Sequence, residues 1–268
     1  MPRDIVQSFY EKYPYPHVQR FGKERMEAYA KPLLAAAGMH MRDMRGKKIL
    51  DVGCGTGEIA CSMAMHALDV KGIDFSTNSI AHAQKIARPF GLKNIHFEKA
   101  DLFEFSPNQK YDIVTCFGVL HHTPNFPNGF RRIAEWVAPG GILLIGFYHP
   151  WGGWEQRLQK TIARWMGGES PEKRLEWVEK RQGMRMNHHS QSFWADRIAH
   201  PRENYFRVSE IQPLFTKNGF QIIGIQSHKP EWKVERPENP WDILRFEIEL
   251  FLRRKRFVIM AGTKKESS

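Results

Sequence analysis

The chain has 268 residues, 40 Lys and Arg against 29 Asp and Glu, and a formal net charge of +11. With 41% hydrophobic and 12% aromatic residues it has the composition of a folded chain, not a disordered one, and its longest uncharged apolar stretch, Gly141 to Tyr148, is far short of the ~20 residues that a bilayer span needs. Three cysteines (Cys54, Cys61, Cys116) argue against a disulfide framework, and the first turns of the chain hold no apolar run of the signal-peptide kind, so the expected location is cytoplasmic.

The charge is uneven. Residues 1–48 carry +5, 49–150 carry −1, 151–207 carry +4 and 208–268 carry +3. Basic segments therefore flank a neutral centre, which suits ordinary solubility or an anionic partner.

In chain order, Ile5, Phe9 and Tyr10, then Met26, Tyr29, Leu33 and Leu34, predict two amphipathic helices as an N-terminal cap over 1–45. Tyr13-Pro14-Tyr15-Pro16 between them is stiff and extended, because each residue before a proline is pushed out of the helical region. From 46 to 150 short apolar runs alternate with amphipathic stretches. Lys48–Val52, Asp69–Asp74, Ile95–Ala100, Tyr111–Phe117 and Ile142–Tyr148 read as strands. Ile59–Ala67, Thr77–Phe90 and Asn125–Val137 read as helices. This rhythm predicts an α/β fold with a doubly wound, mostly parallel sheet. Over 151–207 the rhythm changes: five tryptophans and no clear strand predict a helical insertion after the fifth strand. Ser170-Pro171 fits a helix start there. Over 208–268 the α/β pattern resumes. Ser209 with Gln212 fits a capping box, and Phe220–Ile225 and Arg256–Gly262 read as strands.

The chemistry concentrates at Asp51-Val52-Gly53-Cys54-Gly55-Thr56-Gly57, where a strand runs into a glycine-dense turn and then a helix. Glycines let the backbone take positive φ and let a ligand approach it closely. The dinucleotide fingerprint is not met, because position 58 is Glu58 and not glycine. No Gly-Lys-Ser/Thr follows, which removes the P-loop. A carboxylate at a helix start also repels a pyrophosphate. A ligand without phosphate, carrying a positive centre and a ribose, fits better.

This segment resembles the first motif of class I (Rossmann-like) S-adenosylmethionine-dependent methyltransferases, in their small-molecule branch. The following motifs agree in order: Asp74 ends the second strand, Asp101-Leu102 ends the third, Asp112-Ile113-Val114 leads to Leu120-His121-His122, and Ala138-Pro139-Gly140-Gly141 precedes the fifth. The resemblance implies a seven-stranded sheet with an antiparallel last strand and S-adenosyl-L-methionine as cofactor. It implies that Asp51, Gly53, Cys54, Gly55 and Gly57 form the loop toward the methionine portion. Asp74 and Phe75 would meet the ribose side, Asp101 and Leu102 the adenine, and Phe117 and Gly118 the wall near the methionine chain. Cys54 would be a small packing residue and not a nucleophile.

Methyl transfer needs a base only when the acceptor atom must lose a proton. His121 and His122 are the candidates, with scaffolding as the alternative role. Adjacent histidines converge poorly on one ion, so no metal is expected. Tyr10, Tyr15 and Tyr205 either face the sulfonium and the acceptor or simply pack the cap. The insertion is expected to close as a lid over the methyl group. The leading reading is a methyltransferase acting on a small molecule at oxygen, carbon or nitrogen. The alternatives are an RNA methyltransferase, resembling the tRNA wobble-uridine enzymes with a Leu-His-His motif, and a cofactor-binding regulator without transfer activity.

Overall fold

The computed structural model describes residues 3–13, 22–183, 188–227, 233–235, 237 and 239–266. Its strands are β1 (Lys48–Val52), β2 (Asp69–Asp74), β3 (Ile95–Lys99), β4 (Tyr111–Phe117), β5 (Val137–Tyr148), β6 (Phe220–Ser227), β7 (Lys233–Glu235) and β8 (Phe257–Lys264). They form one sheet in the order β3-β2-β1-β4-β5-β8-β6-β7. The first five are parallel, and β8 runs antiparallel to both β5 and β6. The antiparallel last strand is therefore as expected. The strand count is not: among the described residues the sheet has eight strands rather than seven. The extra one is the three-residue β7, paired on the outer edge of β6 from Gly224↔Glu235 to Gln226↔Lys233. Lys233-Val234-Glu235 alternates charged and apolar residues, but three residues are too few for that alternation to be read as a strand, and such short charged strands are typical of sheet edges.

The central strand explains the continuous apolar run in the sequence. Ile49, Leu50, Asp51 and Val52 are all buried, as they must be in a parallel strand covered on both faces. One face packs under α6 (Phe126–Glu135), α10 (Val208–Lys217) and α11 (Pro240–Leu252), around Phe130, Phe215 and Phe246. The other packs under α3 (Lys31–Leu34) and α4 (Glu58–Ala64), around Leu34, Ala60 and Met63. The predicted second N-terminal helix is broken into α2 (Lys23–Glu27), α3 and a 3-10 turn that ends at Gly38 with φ of 69°. α5 (Thr77–Ala87) ends in a 3-10 turn stopped by Gly91, where the sequence placed its end.

Two local expectations change. α10 starts at Val208, and its first turn is closed by the Arg207 N–H donating to Glu210 Oε2 at 2.7 Å, not by Ser209 and Gln212. α11 was not foreseen, because its apolar residues lie on two opposite sides, one buried and one exposed, and leave no single stripe.

The segment after β5 forms α7 (Trp154–Gly167), α8 (Pro171–Gln182) and α9 (His188–Trp194), followed by a π-helical turn over Ala195–Ala199. Ala163, Leu175, Val178 and Ile198 make a small core of their own, and Phe9 of α1 (Arg3–Lys12) enters it. α1 also reaches the sheet: Glu11 Oε1 accepts from the Thr77 N–H at 2.8 Å at the start of α5. The N-terminal helix thus ties the inserted helices to the carboxyl ends of the strands.

Candidate active site

The strand order reverses at β1, which lies between β2 and β4, and ligands of open α/β sheets sit outside the strand ends at such a point. There Gly53, Gly55 and Gly57 all take positive φ, at 67°, 53° and 88°. Their surroundings differ. A Cβ on Gly53 would lie 2.2 Å from Val119 Cγ2, and one on Gly57 would lie 2.7 Å from Ala83 Cβ, whereas one on Gly55 would meet nothing within 4 Å. Gly53 and Gly57 are thus required by packing, and Gly55 opens the loop to a ligand. Gly57→Ala should therefore lower the melting temperature markedly. Gly55→Ala should cost the free protein only about 1 kcal/mol of left-handed strain yet impair ligand binding. Thermal melts with and without ligand separate the two.

Three carboxylates surround this loop. Asp51 is buried, and the Thr115 hydroxyl donates to its Oδ1 at 2.7 Å, while Oδ2 has no hydrogen-bond partner. Burial first, then Asp74 and Glu58, push its carboxyl up to about 7. Asp74 accepts from the Gly55 N–H at 3.0 Å and the Ser76 N–H at 2.8 Å. Burial holds Asp74 up at about 6 in spite of these bonds. Glu58 is also buried and accepts from the Thr56 hydroxyl at 2.7 Å. Crowded buried acids favour a cationic ligand, which relieves their repulsion, and oppose a phosphate. Cys54 lies within the loop, and burial with the neighbouring Asp74 and Asp51 pushes its thiol well up, so it holds no thiolate.

Beside the ends of β2 and β3 lies a cleft of about 870 Å³, lined by Phe75, Ala100 and Asp101, with Gln7 of α1 at its edge. Asp101 Oδ1 accepts from the Phe103 N–H at 2.7 Å. The Leu102 side chain is buried in the core, and its carbonyl accepts from Arg132 Nε at 3.1 Å. At the end of β4, Phe117 is half-buried, and Gly118 has φ of 75° with nothing within 4 Å of a Cβ built on it. The residues inferred from the sequence therefore stand at or just past the ends of β1, β2, β3 and β4; of them, Phe75 and Asp101 line the cleft, and the Leu102 side chain turns into the core. An open Gly55, an unpaired Asp51 oxygen and a ring of acids fit S-adenosylmethionine better than a dinucleotide.

Next to this surface is a histidine cluster. His121 and His122 lie in a 3-10 turn, Leu120–His122. His121 is fully buried between the rings of His122 and Tyr148, each centroid 4.1 Å away, and neither of its nitrogens has a hydrogen-bond partner. His122 Nδ1 donates to the Arg202 carbonyl at 2.8 Å, which leaves Nε2 of the neutral ring as an acceptor. The Arg202 N–H donates to His200 Nδ1 at 3.1 Å, so that ring has the opposite tautomer. The N–H and C=O of one residue, Arg202, therefore orient two imidazoles whose ring centroids lie 3.9 Å apart. Burial is the main cause that pushes His122 down to about 3 and holds His121 and His200 well below their ordinary range. All three rings are neutral at physiological pH.

Tyr10 joins the two halves. Its ring centroid is 6.1 Å from Phe75, 6.3 Å from His122 and 5.3 Å from His200. Tyr205 lies on the far side, 6.3 Å from Tyr148, with its hydroxyl buried and without a hydrogen-bond partner. Tyr15 lies outside the described residues.

Sequence reasoning missed His200, Tyr148, Lys160, Glu203 and Arg256 as parts of this cluster. Lys160 of α7 ion-pairs with Glu203, and burial pushes its ammonium down to about 7. Arg256 lies 4.2 Å from the centroid of the Tyr148 ring. The only sequence signal was the polar, aromatic stretch Asp196–Tyr205. Among the described residues, no group of three or more His, Cys, Asp or Glu could hold a metal ion.

A family model for a methyltransferase domain matches residues 43–192, more than half of the chain. A ubiquinone biosynthesis O-methyltransferase from Rickettsia canadensis is 28% identical over 200 residues, covering 73% of each chain. An uncharacterized protein, syc1184_c, from Synechococcus is 27% identical over 235 residues, covering 78% of this chain and 55% of its own length, so this chain spans about half of that relative. Among solved structures, magnesium protoporphyrin IX methyltransferase from Synechocystis PCC 6803, with bound SAH, superimposes with a TM-score of 0.56 at 16% identity, covering 98% of this chain and 93% of that one. With this match over most of the sheet, the chain belongs to the methyltransferase domain family, on a class I, Rossmann-like fold.

Proposed function

We propose that the chain is an S-adenosylmethionine-dependent methyltransferase whose acceptor is a small molecule that gives up a proton from a hydroxyl. When bound, the cofactor supplies a methyl group on a positively charged sulfur. Asp51, Gly55 and Gly118 would hold the methionine side, Asp74 the ribose hydroxyls, and Phe75 with Asp101 the adenine side. A carboxylate takes two hydroxyl donors well, and Asp74 keeps unused lone pairs for them.

The acceptor would lie against the histidine cluster, where its hydroxyl proton passes to His122 Nε2. The observation that carries this reading is the state of His122. Its Nδ1 proton is fixed on the Arg202 carbonyl at 2.8 Å, which leaves Nε2 as the proton acceptor; the burial that holds the free ring near 3 is to be offset by the negative charge that develops on the acceptor oxygen beside it. The buried Tyr205 hydroxyl and His200 Nε2, both without hydrogen-bond partners, would bind polar atoms of the acceptor. Lys160 and Arg256 add positive charge that favours the deprotonated oxygen. α1 and the 151–207 helices would form the lid that excludes water. The Rickettsia relative is named as an O-methyltransferase, in line with an oxygen acceptor.

The test is methyl transfer from labelled cofactor to a panel of phenols, hydroquinones, amines and bulk tRNA. Turnover of hydroxyl acceptors is expected. Turnover of tRNA alone, with salt-dependent binding, would replace this reading by an RNA methyltransferase.

A further inference from the structure

α7 has two unlike sides. Inward, Gln156 Nε2 donates to the Arg197 carbonyl at 2.9 Å, and Lys160 pairs with Glu203. Outward, Trp154, Leu158, Ile162, Trp165 and Met166 are exposed, Trp165 at 84%. Their spacing makes one helical stripe. α11 repeats the arrangement. Ile243, Phe246 and Leu250 enter the core, while Trp241, Leu244, Ile248, Phe251 and Leu252 are exposed, Trp241 at 73%. A helix on a soluble surface normally gives that side to charged residues, and apolar patches of this extent mark contact sites.

The two stripes meet. Arg254, just beyond the end of α11, ion-pairs with Glu155 at 2.7 Å and lies 5.8 Å from the centroid of the Trp154 ring. The carboxyl end of one stripe thus joins the amino end of the other. The joined face is also basic. Leaving out Lys160 and Arg256, which face the histidine cluster, and the buried Glu247, α7 carries two basic residues against one acid, and residues 240–255 carry four against two. Arg157, Arg164, Arg245, Arg253 and Arg254 are all exposed around it.

We propose that this face docks the protein on an anionic bilayer surface, with α7 and α11 lying in the interface. An apolar stripe edged by arginines, with tryptophans at its ends, is the chemistry of an interfacial helix. The arginines meet the negative headgroups, and the aliphatic side chains enter the acyl boundary. Contact is peripheral, since no described helix is long and apolar enough to cross a membrane. A second copy is a poorer partner, because a two-fold contact would set the basic rims against each other. The inner side of α7 borders the histidine cluster, so docking brings that cluster within about one helix diameter, ~10 Å, of the lipid.

The experiment is co-sedimentation of the purified chain with phosphatidylcholine vesicles, with and without phosphatidylglycerol, at low and high salt. Binding to the anionic vesicles that weakens with salt is expected. The Trp165→Ser, Trp241→Ser double variant should lose about tenfold in partitioning, with its melting temperature and cofactor binding unchanged. The proposal is overturned if the wild type stays in solution with anionic vesicles, or if the double variant partitions equally. It is also overturned if the wild type forms a concentration-dependent dimer that the double variant abolishes, since a second copy then covers the face.

Discussion

Asp74→Ala should weaken S-adenosylmethionine binding by roughly 1.5–3 kcal/mol, about ten- to 150-fold in Kd, the scale for losing charge-assisted hydrogen bonds. The carboxylate is buried and already bonded to the Gly55 and Ser76 N–H groups, so it is held in place before a ribose arrives. The same burial makes binding depend on pH. Asp74 is raised to about 6, so in the free protein it is charged above that pH and protonated below it. The charged form is the better acceptor of hydroxyl hydrogen bonds, so affinity should fall as pH drops through 6, by at most about tenfold per unit. Asp51, raised to about 7, adds a loss of the same sign one unit higher. Calorimetry from pH 8 to 5 checks this. Asp74→Asn should remove the limb near 6 and keep the one near 7. An unchanged Kd for Asp74→Ala would reduce Asp74 to a brace for the loop and α5.

His122→Gln should lower kcat by about 10²–10⁴-fold, the range for losing a positioned general base, while cofactor affinity stays within a few-fold. Its neighbours make the loss specific. His121 is enclosed by rings, with neither nitrogen paired, and His200 presents the other tautomer, so neither replaces the bare Nε2. Because burial holds His122 near 3, it is a neutral base at every pH above that. Activity should therefore show no limb at the ordinary histidine range near 6.5 that His122→Gln removes. A stronger check uses the acceptor itself. A phenol with electron-withdrawing groups, already ionised at the assay pH, needs no base, so the deficit should shrink for it. An equal deficit for ionised and neutral phenols would make His122 a positioning residue.

The cofactor half of the site was legible in the sequence because its signals are local. Asp51, Asp74 and Asp101 each stand at or just past the end of a strand read from the sequence, and a parallel strand delivers its last residues to the carboxyl edge of the sheet whatever packs around it. Gly53, Gly55 and Gly57 stand in one turn, and their positive φ follows from a strand that must enter a helix at once. The sequence could not tell which of them faces a ligand. That needed Val119 and Ala83, brought to Gly53 and Gly57 by a neighbouring strand end and helix.

The acceptor half was decided by tertiary structure. His122 meets the Arg202 carbonyl across 80 residues of chain, and no periodicity links two positions so far apart. Lys160 reads as one more surface lysine on an amphipathic helix until Glu203 is packed beneath it. The tautomers of His122 and His200 follow from the Arg202 backbone, and the depressed protonation of all three histidines follows from their burial. β7 was invisible for a related reason: a three-residue edge strand exists only because β6 offers it a free row of backbone groups. Patterns repeated within one strand, turn or helix are written in the chain. Properties that depend on which distant side chain excludes water arise only when the elements pack.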